Sequence, residues 1–232
     1  VRAGLLDEDA TVVRKSLAVA VATGTYGITA GALAVAAGLS VLQAMALSLL
    51  LFSGGSQFAF FGVIGAGGSP VAAVASSTLL GVRNGLYGLQ VSQLLGVHRW
   101  KRALAAHLTI DESTAVAVTQ QRTRQQRIGF WLTGAGIFVL WNLMTLVGAL
   151  AGSALGDPRA YGLDAAAAAA FVALLWPRLR GRDPLATGAL AAFVTVVVAP
   201  FVPAGIPVLA AVAAALVVGL PRRAPSAAQV DR

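Results

Sequence analysis

From Ser16 to Val82 the chain contains no Asp, Glu, Lys, Arg or His. One membrane crossing needs about 20 apolar residues, so this run is long enough for several. The rest of the composition agrees. Of 232 residues, 57% are hydrophobic and only 11% charged, against about 25% charged in a soluble domain. The mean hydropathy is +0.79. A water-soluble globule of this size has no means of hiding that much apolar surface. Within lipid every backbone amide must be satisfied internally, which leaves helices or a closed barrel. The length of the apolar runs selects helices, and the expectation is an all-α polytopic membrane protein.

Gly and Pro punctuate the chain into about seven hydrophobic segments. They run about 16–37, 39–66, 71–95, 128–150, 163–176, 185–199 and 208–220. A polar tail, 1–15, precedes them, and a basic tail, 221–232, follows. The span 16–220 reads as a single transmembrane domain interrupted by one long polar segment, 97–127. The first apolar stretch is long enough to cross, unlike the short apolar core of a cleavable leader. The last three segments fall short of a perpendicular span. There is no cysteine, which removes disulfides and thiolate chemistry.

The net charge of +8 is scattered in short clusters between apolar stretches rather than gathered on one face. That is the pattern of cytoplasmic membrane loops, not of a nucleic-acid interface. Both tails and the loops at 122–127 and 178–182 are expected inside, with Arg159 outside. Arg14 and Lys15 call for the same side as Arg99, Lys101 and Arg102, yet three single crossings would separate them. An even number is needed. Either the second segment enters and returns, or 103–120 makes an additional polar crossing.

The first option accounts for "SGGSQFAFFG" at 53–62. Gly54 and Gly55 allow a helix break at 53–57, and Ser53 or Ser56 suits the cap of a new helix start. Such a start aims free N–H groups and a positive dipole end inward, where a carboxylate fits. Broken helices hold substrate in many transporters. Ser53, Gly54, Gly55, Ser56, Gln57 and Phe58 are therefore candidate substrate contacts. The plain alternative is helix packing through small residues. In "GVRNGLYG" Arg83 sits mid-segment, where a cation is costly by about 2.5–3.5 kcal/mol and marks a functional site by default. Asn84 and Tyr87 join it as candidates. The alternatives are a structural ion pair or a snorkelling side chain.

In "HLTIDEST" His107, Asp111 and Glu112 form a titratable cluster. On one helix His107 and Asp111 would be i, i+4 neighbours. A His beside a carboxylate can relay protons near neutral pH, which makes the three candidates for proton coupling. The competing view is a wet surface on which the acids pair with Arg99, Arg102 or Arg122. Three residues without further ligands are weak evidence for a metal, and no cofactor motif is present. In "GTYGITAGALAVAAG", Tyr26 and Gly27 read as close helix packing.

"TYGITAGALAVAAGLS", "LSLLLFSGGSQFAFFGVI", "STLLGVRNGLYGL" and "HLTIDESTAVA", in that order and spacing, resemble the AzlC-type branched-chain amino acid permease family. The resemblance covers about residues 12–220, by hydropathy alone in the second half. It implies the large subunit of an exporter in the bacterial cytoplasmic membrane. Such an exporter moves branched-chain amino acids and methionine, is driven by an ion gradient and works with a small hydrophobic AzlD-type subunit. The family pattern tends to carry Asn and His where this chain has Gly81 and Asn84, so no proton role for such a His carries over. Arg83 and Tyr87 match.

The leading expectation is a secondary transporter of zwitterionic amino acids. The substrate carboxylate would meet the second half-helix and Arg83, and its apolar side chain Phe58, Phe60 or Phe61. A non-transporting membrane scaffold is the alternative. A membrane-embedded enzyme is disfavoured because no nucleophile–base pair stands out. The bilayer is the first partner, and self-association is open.

Overall fold

A computed structural model of the chain describes residues 2–154, 169, 172, 175–176, 179–203, 206–207 and 209–212. Among these every element is helical and none is a strand. Helices α1 (Arg2–Gly24) and α2 (Gly27–Ala36) are separated by a single turn. Then come α3 (Val41–Leu50), α4 (Gly54–Gly65), α5 (Pro70–Leu95), α6 (Trp100–His107), α7 (Asp111–Val118) and α8 (Thr123–Ala154). Beyond the gap lies α9 (Arg182–Val198), which closes in a 3-10 turn at Ala199–Phe201. Three stretches are long and apolar enough to cross a membrane: Glu8–Ala36, Thr123–Ala154 and Arg182–Phe201. The expected segments 163–176 and 208–220, the loop 152–162 and the tail after 220 fall largely outside the described residues.

Local chemistry sets the helix ends. Ser40 caps α3 in a reciprocal box: Gln43 N–H donates to Ser40 Oγ at 3.2 Å, and Ser40 N–H donates to Gln43 Oε1 at 2.8 Å. Ser69 accepts from Ala72 N–H, and Pro70 occupies the first turn of α5. Gly96 ends α5 in the left-handed conformation at φ 57°. The polar residues before Ser16 already belong to α1, which extends the first segment's helix instead of forming a separate tail.

Helix α8 serves as a ruler. Its start pairs with the first half of α1 through Arg122–Glu8 (2.9 Å), just ahead of the helix, and Arg124–Asp9 (3.1 Å). Its last turn meets the end of α2, with Gly152 against Ala32 and Val35. The α1–α2 unit thus runs parallel to α8 over its whole length. Close approach along that seam needs glycine, since a Cβ on Gly31 would collide with the Thr145 carbonyl and one on Gly148 with the Ile28 carbonyl.

Between these rods sit two helical hairpins that enter the bundle from opposite ends. In the first, α3 descends past Thr145, whose Oγ1 lies 3.4 Å from Ser48 Oγ. The chain turns at Leu51–Ser53, where Phe52 packs on Phe138. Helix α4 then climbs back past Trp141 until Gly65 touches Ala37, close to where α3 began. In the second, Trp100 and Leu104 share a groove with Trp131. The turn at Leu108–Ile110 lies against Gly134, and α7 returns past Gly129 to Thr119, which accepts from Lys15 Nζ at 3.3 Å. Helix α5 crosses between the hairpins. Its Ser77 Oγ donates to the Ser56 carbonyl at 2.6 Å, and the carbonyl of Leu94, near its far end, accepts from Arg127 Nε.

This arrangement resolves the charge count. The second segment returns to its own side, and so does 103–120. Arg14, Lys15, Arg99, Lys101, Arg102 and the 122–127 cluster all lie at one end of the ruler. The described connections at the other end, 37–40 and 65–69, carry no charge.

Candidate functional site

Each hairpin tip is a helix break, and each break frees a carbonyl. In the first tip, Leu51 is the residue after α3, with φ −102° and ψ 69°. Its carbonyl accepts from Gln57 Nε2 at 2.7 Å, and Gln57 Oε1 accepts in turn from the Trp141 indole at 3.0 Å. Gln57 is wholly buried. In the second tip, the equivalent carbonyl, Leu108, accepts from Ser113 Oγ at 2.7 Å, and Ser113 Oγ accepts from Ile110 N–H. A side chain in the first turn of the returning helix thus closes both tips. Without it the Leu108 carbonyl would stand unpaired, at a cost of about 1–3 kcal/mol, whereas the Leu51 carbonyl would keep only its 2.8 Å bond from Ser53 N–H.

The tips meet around a cavity of about 410 Å³. The first hairpin contributes Phe52, Ser53, Gly54, Gly55 and Phe58, and the second Ile110, Asp111 and Glu112. Helix α5 supplies Leu80, Arg83 and Asn84, and α8 supplies Ile137 and Trp141. Thr23 and Tyr26 line it beside the α1–α2 turn, and Val172 and Leu175 complete the described wall. Arg83 Nη1 stands 3.0 Å from Asp111 Oδ2, joining two motifs that the sequence treats separately. The guanidinium lies over Gly55, where an added Cβ would come 2.9 Å from Arg83 Nη2. Arg83 Nε and Asn84 Oδ1 are buried without hydrogen-bond partners. Ser53 occupies the N-cap of α4, but its hydroxyl makes no capping bond. The first N–H groups of α4 have no intrahelical partner, as at any helix start.

The structure sorts the candidate residues. Ser53, Gly54, Gly55, Phe58, Arg83 and Asn84 face the cavity. Ser56, Gln57 and Tyr87 are not on its wall, nor are Phe60 and Phe61. The helix break falls at 51–53 and the new helix begins at Gly54, slightly ahead of the expected 53–57. His107 and Asp111 are not neighbours on one helix, because the extended Leu108–Ile110 turn separates them. His107 instead packs on Phe52 and Phe138, at 5.9 and 5.4 Å between ring centroids. Asp111 and Glu112 line the cavity, and Arg122 pairs with Glu8. The wall residues that the sequence did not single out include Tyr26 as a wall group, Phe52, Ile137 and Trp141. A Trp and an Asn amid the apolar fourth segment were the available signal for Trp141.

The family model described as AzlC protein matches residues 18–155, which contain every cavity residue named above except Val172 and Leu175. The chain belongs to the AzlC family. The match is shorter than the 12–220 that the sequence motifs suggested. A protein of Archaeoglobus fulgidus named as an uncharacterized membrane protein is 35% identical over 156 residues, 66% of this chain and 68% of its own length. No solved structure matches. Both hairpins, and the cavity wall apart from Val172 and Leu175, therefore lie within the AzlC-matched region.

Proposed function

We propose that this AzlC-family protein is a secondary transporter that exports branched-chain amino acids, and methionine, across the bacterial cytoplasmic membrane. In this reading it is driven by the proton gradient and works with a small hydrophobic AzlD-type subunit. The observation that carries the reading is the Arg83–Asp111 pair, set between two helix breaks in a mostly apolar cavity. Discontinuous helices meeting near the middle of the bundle are where transporters bind substrate. The α4 start and Arg83 favour a carboxylate, while Phe58, Ile137 and Trp141 suit an aliphatic side chain. The volume lies within the range of small-molecule sites, about 300–1,000 Å³. The basic end of the bundle faces the cytoplasm, following the preference of Lys and Arg for that side. Asp111 and Glu112, which the hairpin brings to the wall, are the groups through which protons act.

The test is efflux of labelled leucine from loaded vesicles containing the chain and the small subunit, with and without an imposed pH gradient. Gradient-stimulated efflux above that of empty vesicles is expected. Efflux equal to that of empty vesicles with either polarity of gradient refutes the reading.

A further inference from the structure

The two hairpins are related by more than their opposed entry. Leu51, Gly54 and Ser56 on the first tip correspond to Leu108, Asp111 and Ser113 on the second at one constant offset. Each Leu follows the first half-helix, and its carbonyl is closed from the first turn of the returning helix. Inverted repeats of this kind place a site at their interface. Here the two tips differ in charge. Where the first has Gly54 and Gly55, open backbone beneath a guanidinium, the second has the carboxylates of Asp111 and Glu112. One face of the cavity is suited to an anion and the other to a cation.

Two further observations point to a ligand between them. Ser53 is 6% exposed and lies on the wall, and its hydroxyl makes no capping bond to α4. Arg83 Nε and Asn84 Oδ1, on the same wall, are unmet.

We propose that the Asp111 carboxylate holds the ammonium group of the transported amino acid and, alternately, the coupling proton. This inference rests on the transport reading and deepens it. In this structure Asp111 Oδ2 pairs with Arg83 Nη1 at 3.0 Å. A zwitterion entering the site replaces that single pair with two, its carboxylate on Arg83 and the α4 start, its ammonium on Asp111. Proton and ammonium exclude each other, because a neutralised carboxyl no longer attracts the cation. Their exclusion at one group converts proton entry into substrate exit. Among the described residues the charged and titratable groups on the wall with Asp111 are Arg83 on α5, Glu112 beside it on α7, and Tyr26 beside the α1–α2 turn. His107 on α6 stands behind Phe52, and α4 and α8 bring no titratable side chain to the wall.

The experiment is leucine counterflow in vesicles carrying the full chain with the small subunit. The competitors are 4-methylpentanoate, which lacks the ammonium group, and leucinamide, which lacks the carboxylate. In the wild type, leucine should compete at least about tenfold better than 4-methylpentanoate, a 1.4 kcal/mol preference for the ammonium group. As the pH falls the KM for leucine should rise, by up to about tenfold per pH unit, because proton and ammonium compete for one carboxylate. Asp111→Asn should abolish both the preference and the pH dependence, and Asp111→Glu should restore the preference in part. The wild-type pH profile keeps the test independent of whether Asp111→Asn folds. Leucine counterflow with a KM unchanged across the acid range, or an Asp111→Asn variant that still prefers leucine, overturns the inference and leaves the transport reading standing. No leucine counterflow by the wild type overturns both.

Discussion

The indole of Trp141 on α8 donates a hydrogen bond of 3.0 Å to Gln57 on α4, and the same Gln57 amide donates to the Leu51 carbonyl at 2.7 Å. One side chain therefore ties the tip of a helix break to the longest helix in the bundle. Gln57 behaves as a structural lock, which explains why it is buried and off the cavity wall. Gln57→Leu should leave the Trp141 N–H unpaired and the Leu51 carbonyl with only its bond from Ser53 N–H, and lower stability by about 1–3 kcal/mol. Trp141→Phe removes one of the bonds and should cost less than half as much in hydrogen bonding. Thermal unfolding in detergent reads both. A Gln57→Leu protein as stable as wild type would show that the lock is not needed.

The Arg83–Asp111 pair is partly exposed to the cavity, with side chains 31% and 19% accessible. Arg83→Ala should therefore leave the protein folded but cut leucine transport by at least about tenfold, equivalent to 1.4 kcal/mol. Arg83→Lys should recover only part, because a point charge does not reproduce the planar fork. Equal transport by Arg83→Ala and wild type in the vesicle assay contradicts this.

Glycines along the α2–α8 seam should behave differently from those on α5. Gly31→Ala and Gly148→Ala each push a methyl group into an opposing backbone carbonyl. Overpacking of that kind typically costs about 1–3 kcal/mol. Nothing lies within 4 Å of a Cβ at Gly85 or Gly88, so alanine there should be neutral or stabilise by up to about 1 kcal/mol through helix propensity. Melting temperatures of the four variants rank the two pairs, and an inverted ranking refutes the seam.

The absence of cysteine makes the chain a ready background for labelling. Lys15→Cys and Lys101→Cys should react with an impermeant thiol reagent from one face of the membrane, and Ala66→Cys from the other. Labelling of Lys15→Cys and Lys101→Cys from opposite faces would refute the return of the first hairpin to its own side.

The first hairpin was readable because its ingredients are local. Paired glycines within an uncharged run weaken a helix wherever they fall, and the count of basic clusters demanded an even number of crossings. The position of the break was less accessible. It depends on where the freed Leu51 carbonyl finds a donor, and that donor sits on Gln57, held by a residue far along the chain. The second hairpin was hidden for the opposite reason. "HLTIDEST" has the composition of a wet surface helix, and its half-helices are too short for hydropathy to place them within the bundle.

Composition and spacing by themselves determined a helical membrane protein, a break near Gly54, and Arg83 as a costly charge in need of a partner. Each of these follows from the expense of exposing backbone or charge to lipid, which is paid locally and leaves a mark on the residues nearby. Only the tertiary structure decided that the partner is Asp111, that His107 stands apart behind Phe52, and that two breaks entering from opposite ends enclose one cavity. Those are relations between residues far apart in the chain. They are set by how α5 and α8 pack the two hairpin tips together, and no single stretch of sequence contains that information.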